Sequence, residues 1–100
     1  MKVEAIGGFD WDETNVGKLA VHGLKPNDVE DLFDFCEPVV FQHPEHRERW
    51  LALGVLADER FLLVSFELDE ETRWARVVTA FEPTGEKWWR SYAKSKGIKA

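Results

Sequence analysis

Arg76 is the cation that the sequence places best for chemistry. It lies in the middle of a predicted strand, and a symmetric pairing with the preceding strand sets it beside Ser65. The same pairing puts Trp50 and Trp74 in the next row of one sheet face. An arginine between aromatic planes can hold a phosphate while a nucleobase stacks on the rings. The alternative is a salt bridge to Glu67, a diagonal neighbour.

His22 is the candidate proton carrier, because an unperturbed imidazole has a pKa of about 6.5. It stands at the end of a predicted helix, so the alternative is that its ring stabilises the terminal carbonyl groups. Lys18 and Asn15 lie on or near the same helix face as His22. The alternative is that this row of polar side chains is exposed to solvent and has no further role, as is common on helices.

Three apolar runs separated by short acidic breaks predict an antiparallel meander. The runs are Arg49 to Ala57, Arg60 to Leu68 and Arg73 to Phe81, and they are rich in Val, Leu, Phe and Trp. In the symmetric register, one face carries Trp50, Ala52, Gly54, Leu63, Ser65, Glu67, Trp74, Arg76 and Val78. The opposite face is apolar and carries Leu51, Leu53, Val55, Leu62, Val64, Phe66, Leu68, Ala75, Val77, Thr79 and Phe81. We interpret the first face as the working surface, although a one-residue slip would exchange the faces.

Helical spacing of apolar residues predicts three helices. The first has Asp12 as its N-cap and ends at Gly23, and the second begins at Pro26. The third begins at Pro83 and has Gly97 beyond its end, and the tail from Lys94 onward is expected to fray. The apolar stripe of the second helix is Val29, Leu32, Phe33 and Cys36. That of the third helix is Trp88, Trp89, Tyr92 and Ala93.

Two short strands complete the predicted fold, Lys2 to Ile6 and Pro38 to Gln42. We therefore expect an α+β fold with two N-terminal helices, a four-stranded antiparallel sheet and a C-terminal helix, in which the helices cover the apolar sheet face. A chain of 100 residues is expected to form a single domain over residues 1–100.

Composition narrows the possible functions. The formal net charge of −6 opposes a simple nucleic-acid binder, although the segment from Lys87 to Lys99 is basic. No apolar run is long enough for a membrane span or a signal peptide, and the single Cys36 fits a reducing cytoplasm. His43 and His46 have no cysteines nearby, so we expect no metal site and no cofactor.

The N-terminal run from Phe9 to Phe33 resembles the opening of the BrnT family, the toxins of one class of bacterial type II toxin–antitoxin pairs. The shared residues are Phe9-Asp10-Trp11-Asp12-Glu13, Asn15, Lys18, His22-Gly23, Pro26, Val29 and Phe33. Segments of the three predicted strands are also similar to the family pattern, and they begin at Arg49-Trp50, at Arg60-Phe61 and at Arg76-Val77. The resemblance covers roughly residues 9 to 92.

This resemblance implies a RelE-like fold and a metal-independent endoribonuclease that is neutralised by a small DNA-binding antitoxin. The chain would then contact DNA only indirectly, through the antitoxin. Carried over to this chain, it makes His22, Arg60, Arg76 and Tyr92 the candidate catalytic residues. The candidate RNA-binding residues are Lys18, Arg49, Trp50 and Trp74. In the predicted register Arg49 and Arg60 belong to the face opposite Arg76, although arginines at strand ends can reach round the edge of a sheet. Tyr92 is one residue out of step with the family's tyrosine, so core or antitoxin-facing packing is its alternative role.

Three basic positions of the family are missing. Val21 and Phe81 replace two of them, and the C-terminal helix has fewer arginines. The alternative function is therefore a catalytically inactive BrnT-like module that binds a DNA-binding partner. We expect a basic antitoxin segment to lie across the face of Trp50, Trp74 and Arg76 and to block RNA, whereas binding elsewhere would still allow the inactive module.

Overall fold

The computed structural model describes residues 6–98, which form a five-stranded sheet with helices on both faces. The elements in chain order are β1 (Gly8–Phe9), α1 (Glu13–Val21), α2 (Pro26–Phe35), β2 (Val39–Gln42), β3 (Arg49–Val55), β4 (Phe61–Leu68), β5 (Trp74–Phe81) and α3 (Lys87–Lys96). The predicted α+β class and the three helices are confirmed. No helix in residues 6–98 has the length and apolar character needed to cross a bilayer.

The sheet has the strand order β1-β5-β4-β3-β2, and β2 to β5 form the predicted antiparallel meander. The expectation of four antiparallel strands is wrong, because β1 adds a fifth strand parallel to β5. β1 could not be predicted, because two residues are too few to show the period of a strand. The predicted strand from Lys2 to Ile6 lies almost entirely outside the described residues.

The predicted register of the meander is also wrong. The β3–β4 loop is one residue longer than a symmetric turn at Asp58-Glu59, because Leu56 and Arg60 still pair through the backbone at 2.9 Å. Glu59 occupies the left-handed region of φ that a three-residue hairpin loop needs. Consequently Ser65 pairs with Leu51 and not with Ala52. The prediction that Arg76 lies beside Ser65 is wrong as well, because Arg76 pairs with Glu67.

The slip exchanges the two faces of β3. Trp50, Ala52 and Gly54 lie with the apolar side of β4, against α1 and α2. Leu51, Leu53 and Val55 lie on the other side. A bulge at Val78 also shifts β5, so Thr79 pairs with Ser65 and joins that second face together with Phe81.

The face under α1 and α2, here called the helix-covered face, holds the larger core. Leu19 of α1 and Leu32 of α2 are fully buried against β4 residues such as Phe66. Phe33 meets Phe66 edge to face, with ring centroids 5.5 Å apart. Burial of this apolar surface holds both N-terminal helices on the sheet.

The opposite face, here called the open face, is covered only in part. The helix α3 packs over β2 and β3, where Tyr92 is buried with Leu51, Leu53 and Leu63. Trp88 stacks on Phe41 of β2. The meander therefore extends beyond α3, and part of its surface stays accessible.

The predicted helix boundaries are largely confirmed. Asp12 caps α1, with its side chain accepting the backbone N–H of Asn15 at 3.0 Å, and Pro26 is the first residue of α2. The start of α3 at Lys87 is later than predicted. The prediction that Gly97 lies beyond its end is confirmed, since Gly97 closes the helix in the left-handed region. Residues 94–96 are helical, where fraying was expected.

Replacement of Asp28 by asparagine is expected to make the free energy of unfolding less dependent on pH in acid. Burial alone would raise the pKa of Asp28, but the Arg60 guanidinium at 2.8 Å and the backbone N–H of Lys25 lower it below its ordinary 3.8. A lowered pKa in the folded state stabilises the fold above pH 3.8, and this contribution disappears as the pH falls through the folded pKa.

Urea unfolding at pH 7 and at pH 3 tests this. Asp28→Asn is expected to cost about 1–2 kcal/mol at pH 7 and less at pH 3. Asp31→Asn, which removes an exposed carboxylate from the same helix, is the control for charge alone. Equal losses for Asp28→Asn at both pH values would contradict the assignment.

Candidate functional site

A row of polar side chains crosses three strands on the open face and continues into the segment after β2. Arg49 of β3, Glu67 of β4 and Arg76 of β5 are successive cross-strand partners. His43 continues the row beside β3, since its backbone N–H donates to the carbonyl of Arg49 at 2.9 Å. The corrected register thus brings together Arg49 and Arg76, which the predicted faces had separated.

One side of this row borders a cavity of about 300 Å³, here called the sheet cleft. It lies where α3 leaves the sheet uncovered, and its lining combines an apolar floor with hydroxyl, imidazole and cationic groups. The lining residues are His43, Pro44, Glu45, Arg49, Leu51, Leu63, Ser65, Val78, Thr79, Phe81, Lys87 and Trp88. A small number of polar groups that converge over an apolar floor is typical of a ligand site.

Among the arginines of the predicted site, Arg49 has the weakest contacts with carboxylates. Its Nε is buried without a hydrogen bond, and Glu67 lies 3.8 Å away, in ion-pair range only. Arg60, by contrast, has carboxylates of Asp28 and Asp58 at 2.8 Å and 2.9 Å. Arg49 is therefore better placed to attract an anion into the cleft.

Arg76 is held by carboxylates. Its guanidinium lies 2.6 Å from Asp12 and 3.8 Å from Asp10, and Glu67 is its strand partner. The buried side chain of Asn15 holds the backbone of Asp10 and Asp12 in place. Its amide donates to the carbonyl of Asp10 and accepts the backbone N–H of Asp12, both at 2.8 Å. The backbone N–H of Asn15 and then Arg76 lower the pKa of Asp12. A phosphate would have to compete with these carboxylates for Arg76.

A second cavity of about 610 Å³ lies on the other side of the row. Its lining contains four carboxylates and one arginine, so we call it the acidic groove. The lining residues are Asp10, Glu48, Glu67, Leu68, Asp69, Thr72, Trp74 and Arg76. Trp74 is 49% exposed, which is unusual for so large an apolar side chain. The open face thus has a cationic part and an acidic part.

His22 lies outside the sheet cleft but touches its border. It is exposed at the C-terminal end of α1, and its ring centroid is 5.8 Å from that of Phe81, which lines the cleft. Lys18 is exposed one turn earlier and lines neither cavity. Val21, where the family carries a basic residue, is 81% exposed.

Three other predicted residues are not brought to the cleft. Arg60 stands at the opposite end of β4 from Glu67, in its contacts with α2 and the hairpin loop. Tyr92 is buried beneath α3, where burial first, and then Cys36 and Glu37, raise the pKa of its hydroxyl. Trp50 packs against the core of the helix-covered face, so the prediction that it shares a face with Trp74 and Arg76 is wrong.

Sequence reasoning missed His43, Lys87 and Thr79 as lining residues. His43 is two residues after Phe41, so a longer β2 would have placed both on one face beside Arg49. Lys87 begins α3, and its Nζ lies 5.0 Å from the ring centroid of Trp88. Thr79 was assigned to the other face because the bulge at Val78 left no mark in the sequence.

Residues 6–98 contain no group of three His, Cys, Asp or Glu side chains that could hold a metal ion. No family model matches the chain, and neither the curated proteins nor the solved structures include a significant match. The function is therefore inferred from the geometry of the open face together with the sequence resemblance.

Proposed function

We propose that the chain is a divergent BrnT-like toxin of RelE-like fold, a cytoplasmic endoribonuclease that cleaves RNA without a metal at the sheet cleft. The observation that carries the proposal is the convergence of Arg49, Lys87 and His43 on an uncovered sheet surface. Two cations and an imidazole beside hydroxyl groups suit a phosphodiester anion. Trp88, at the same cleft, offers a ring on which a base can stack.

The proposed reaction is an intramolecular transesterification. The 2′-oxygen of the RNA attacks phosphorus, the bond from phosphorus to the 5′-oxygen breaks, and the products are a 2′,3′-cyclic phosphate and a 5′-hydroxyl. The 2′-hydroxyl proton passes to a base, for which His22 at the cleft border is the candidate, and the 5′-oxygen takes up a proton. Arg49 and Lys87 stabilise the negative charge that builds up on the phosphate oxygens.

The antitoxin is proposed to bind the acidic groove with a basic segment. Four carboxylates attract lysine and arginine side chains, and the exposed ring of Trp74 can receive a cation on its face. Because the groove adjoins the cleft along the polar row, an occupant would cover Arg49 and exclude RNA. Contact with DNA is then indirect, through the antitoxin.

Expression of the chain alone in bacteria tests the toxin function. The proposal predicts growth arrest that is relieved when a neighbouring gene for a small DNA-binding protein is expressed with it. Normal growth with folded chain present at high level would refute it.

The acidic groove also supports the second candidate, a binding module without catalysis. Carboxylates surround Arg76 so closely that this part of the face repels RNA and favours a basic protein segment. Under this hypothesis the chain binds its DNA-binding partner and acts in repression only. RNA cleavage distinguishes the two candidates, since both predict partner binding.

Trp74→Ala is expected to weaken partner binding by about 10-fold or more, because a half-exposed tryptophan beside carboxylates is the natural anchor of the groove. Titration calorimetry with the purified partner measures the loss. Phe35→Ala, which removes a 79% exposed aromatic side chain from α2, is the control. Equal affinities for wild type and Trp74→Ala would place the partner elsewhere.

A further inference from the structure

His43 occupies a fixed position at the sheet cleft. The backbone N–H that it donates to the carbonyl of Arg49, at 2.9 Å, extends the β2–β3 pairing one residue past Gln42. Its side chain therefore lies on the same face as Phe41 and lines the cleft together with Arg49.

The loop after β2 sets which ring nitrogen carries hydrogen. The Nδ1 atom of His43 accepts the backbone N–H groups of Glu45 at 3.0 Å and of His46 at 3.2 Å. Both bonds need the lone pair of Nδ1, so the neutral ring carries its hydrogen on Nε2. The His46 ring packs against it at 4.9 Å between centroids and restricts its rotation.

We propose that His43 is a substrate-binding residue whose Nε2–H donates a hydrogen bond to a non-bridging phosphate oxygen in the sheet cleft. This role rests on the proposed function for its substrate, an RNA phosphodiester. The imidazole acts as a neutral donor with fixed direction, while Arg49 and Lys87 supply the positive charge. His43 thus binds and orients the phosphate, and the proton transfer is left to another group.

Two substitutions separate the ring nitrogens of His43. His43→Asn keeps an oxygen near the Nδ1 position, so it can accept the loop N–H groups, but it has no group at Nε2. His43→Gln places an amide N–H near the Nε2 position and lacks the Nδ1 acceptor. His46→Asn, which changes the exposed neighbouring ring, is the matched control.

Binding of inorganic phosphate, followed by amide shifts in NMR at constant ionic strength, is the test, with thermal unfolding to verify that each variant folds. We expect His43→Asn to weaken phosphate binding by about 10-fold or more. We expect the phosphate affinities of His43→Gln and His46→Asn to stay within about 3-fold of wild type, a smaller effect than the loss of one hydrogen bond would have.

Two results would overturn the donor role. One is wild-type phosphate affinity in folded His43→Asn, and the other is equal weakening by both His43 substitutions. Because phosphate binding is measured without RNA, the result also stands apart from the toxin function. A wild-type chain that binds phosphate through His43 but leaves RNA intact would reject the nuclease and retain the binding site.

Discussion

Replacement of Arg49 by alanine is expected to lower RNA cleavage by a factor on the order of 10² to 10³, the usual effect of removing one hydrogen-bond donor from an oxyanion hole. The reason is its position, since Arg49 lines the sheet cleft and has only Glu67 within ion-pair range among the described residues. A half-exposed surface ion pair contributes little stability, so the variant should fold normally. Single-turnover cleavage of a labelled RNA measures the loss.

Arg60→Ala is the matched control for the loss of an arginine. Arg60 donates to Asp28 and Asp58 away from the cleft, so its removal should reduce stability and leave cleavage per folded molecule unchanged. The reverse pattern, with Arg60→Ala inactive and Arg49→Ala active, would contradict the placement of the site and favour the catalytic role predicted for Arg60 from the sequence.

Phe66→Ala is expected to reduce the free energy of unfolding by about 3–5 kcal/mol, the usual cost of truncating a buried phenylalanine. Phe66 is fully buried in the middle of β4 and contacts Phe33 of α2 edge to face. The truncation leaves a cavity between the sheet and the two N-terminal helices. A domain with a total stability of about 5–15 kcal/mol would then be close to unfolding at 37 °C.

Equilibrium urea unfolding followed by tryptophan fluorescence measures this effect. Phe35→Ala is the control, because Phe35 is 79% exposed and its truncation should change stability by no more than about 0.5 kcal/mol. Similar costs at both positions would show that α2 does not pack on the sheet as described here.

The helices could be predicted from the sequence because their signals are local. Asp12 at the start of α1, Pro26 at the start of α2 and Gly97 after α3 act through the backbone of their own helix turn. The apolar residues of α2 fall on one face at helical spacing, and Val29 and Leu32 are buried as predicted. Such features need no knowledge of distant contacts.

The register of the sheet could not be predicted in the same way. It depends on one additional residue in the β3–β4 loop and on the bulge at Val78, and either shifts a strand by one position. Each shift reverses side-chain faces, which explains why Trp50 lies in the core and Leu51 lies on the open face. The pairing of Arg49 with Glu67 followed only from the observed register.

The candidate site was predicted in part. Arg49, Arg76 and Trp74 lie on the open face, and Arg49 with its neighbours forms the cationic cleft. His43 and Lys87 come from the segment after β2 and from the start of α3, which are distant from each other in sequence. Only packing of α3 on the sheet brings them together, so no local pattern could reveal the pair.

Incubation of the purified chain with a labelled single-stranded RNA in the presence of EDTA tests the nuclease proposal itself. Arg49→Ala protein purified in parallel controls for contaminating nucleases, and the same oligonucleotide with 2′-deoxyribose tests the role of the 2′-hydroxyl. The predicted result is cleavage of the RNA by the wild type to products ending in 2′,3′-cyclic phosphate, with the deoxy oligonucleotide intact and Arg49→Ala nearly inactive. RNA left intact by folded wild-type chain, or cleaved equally by Arg49→Ala, would contradict the proposal.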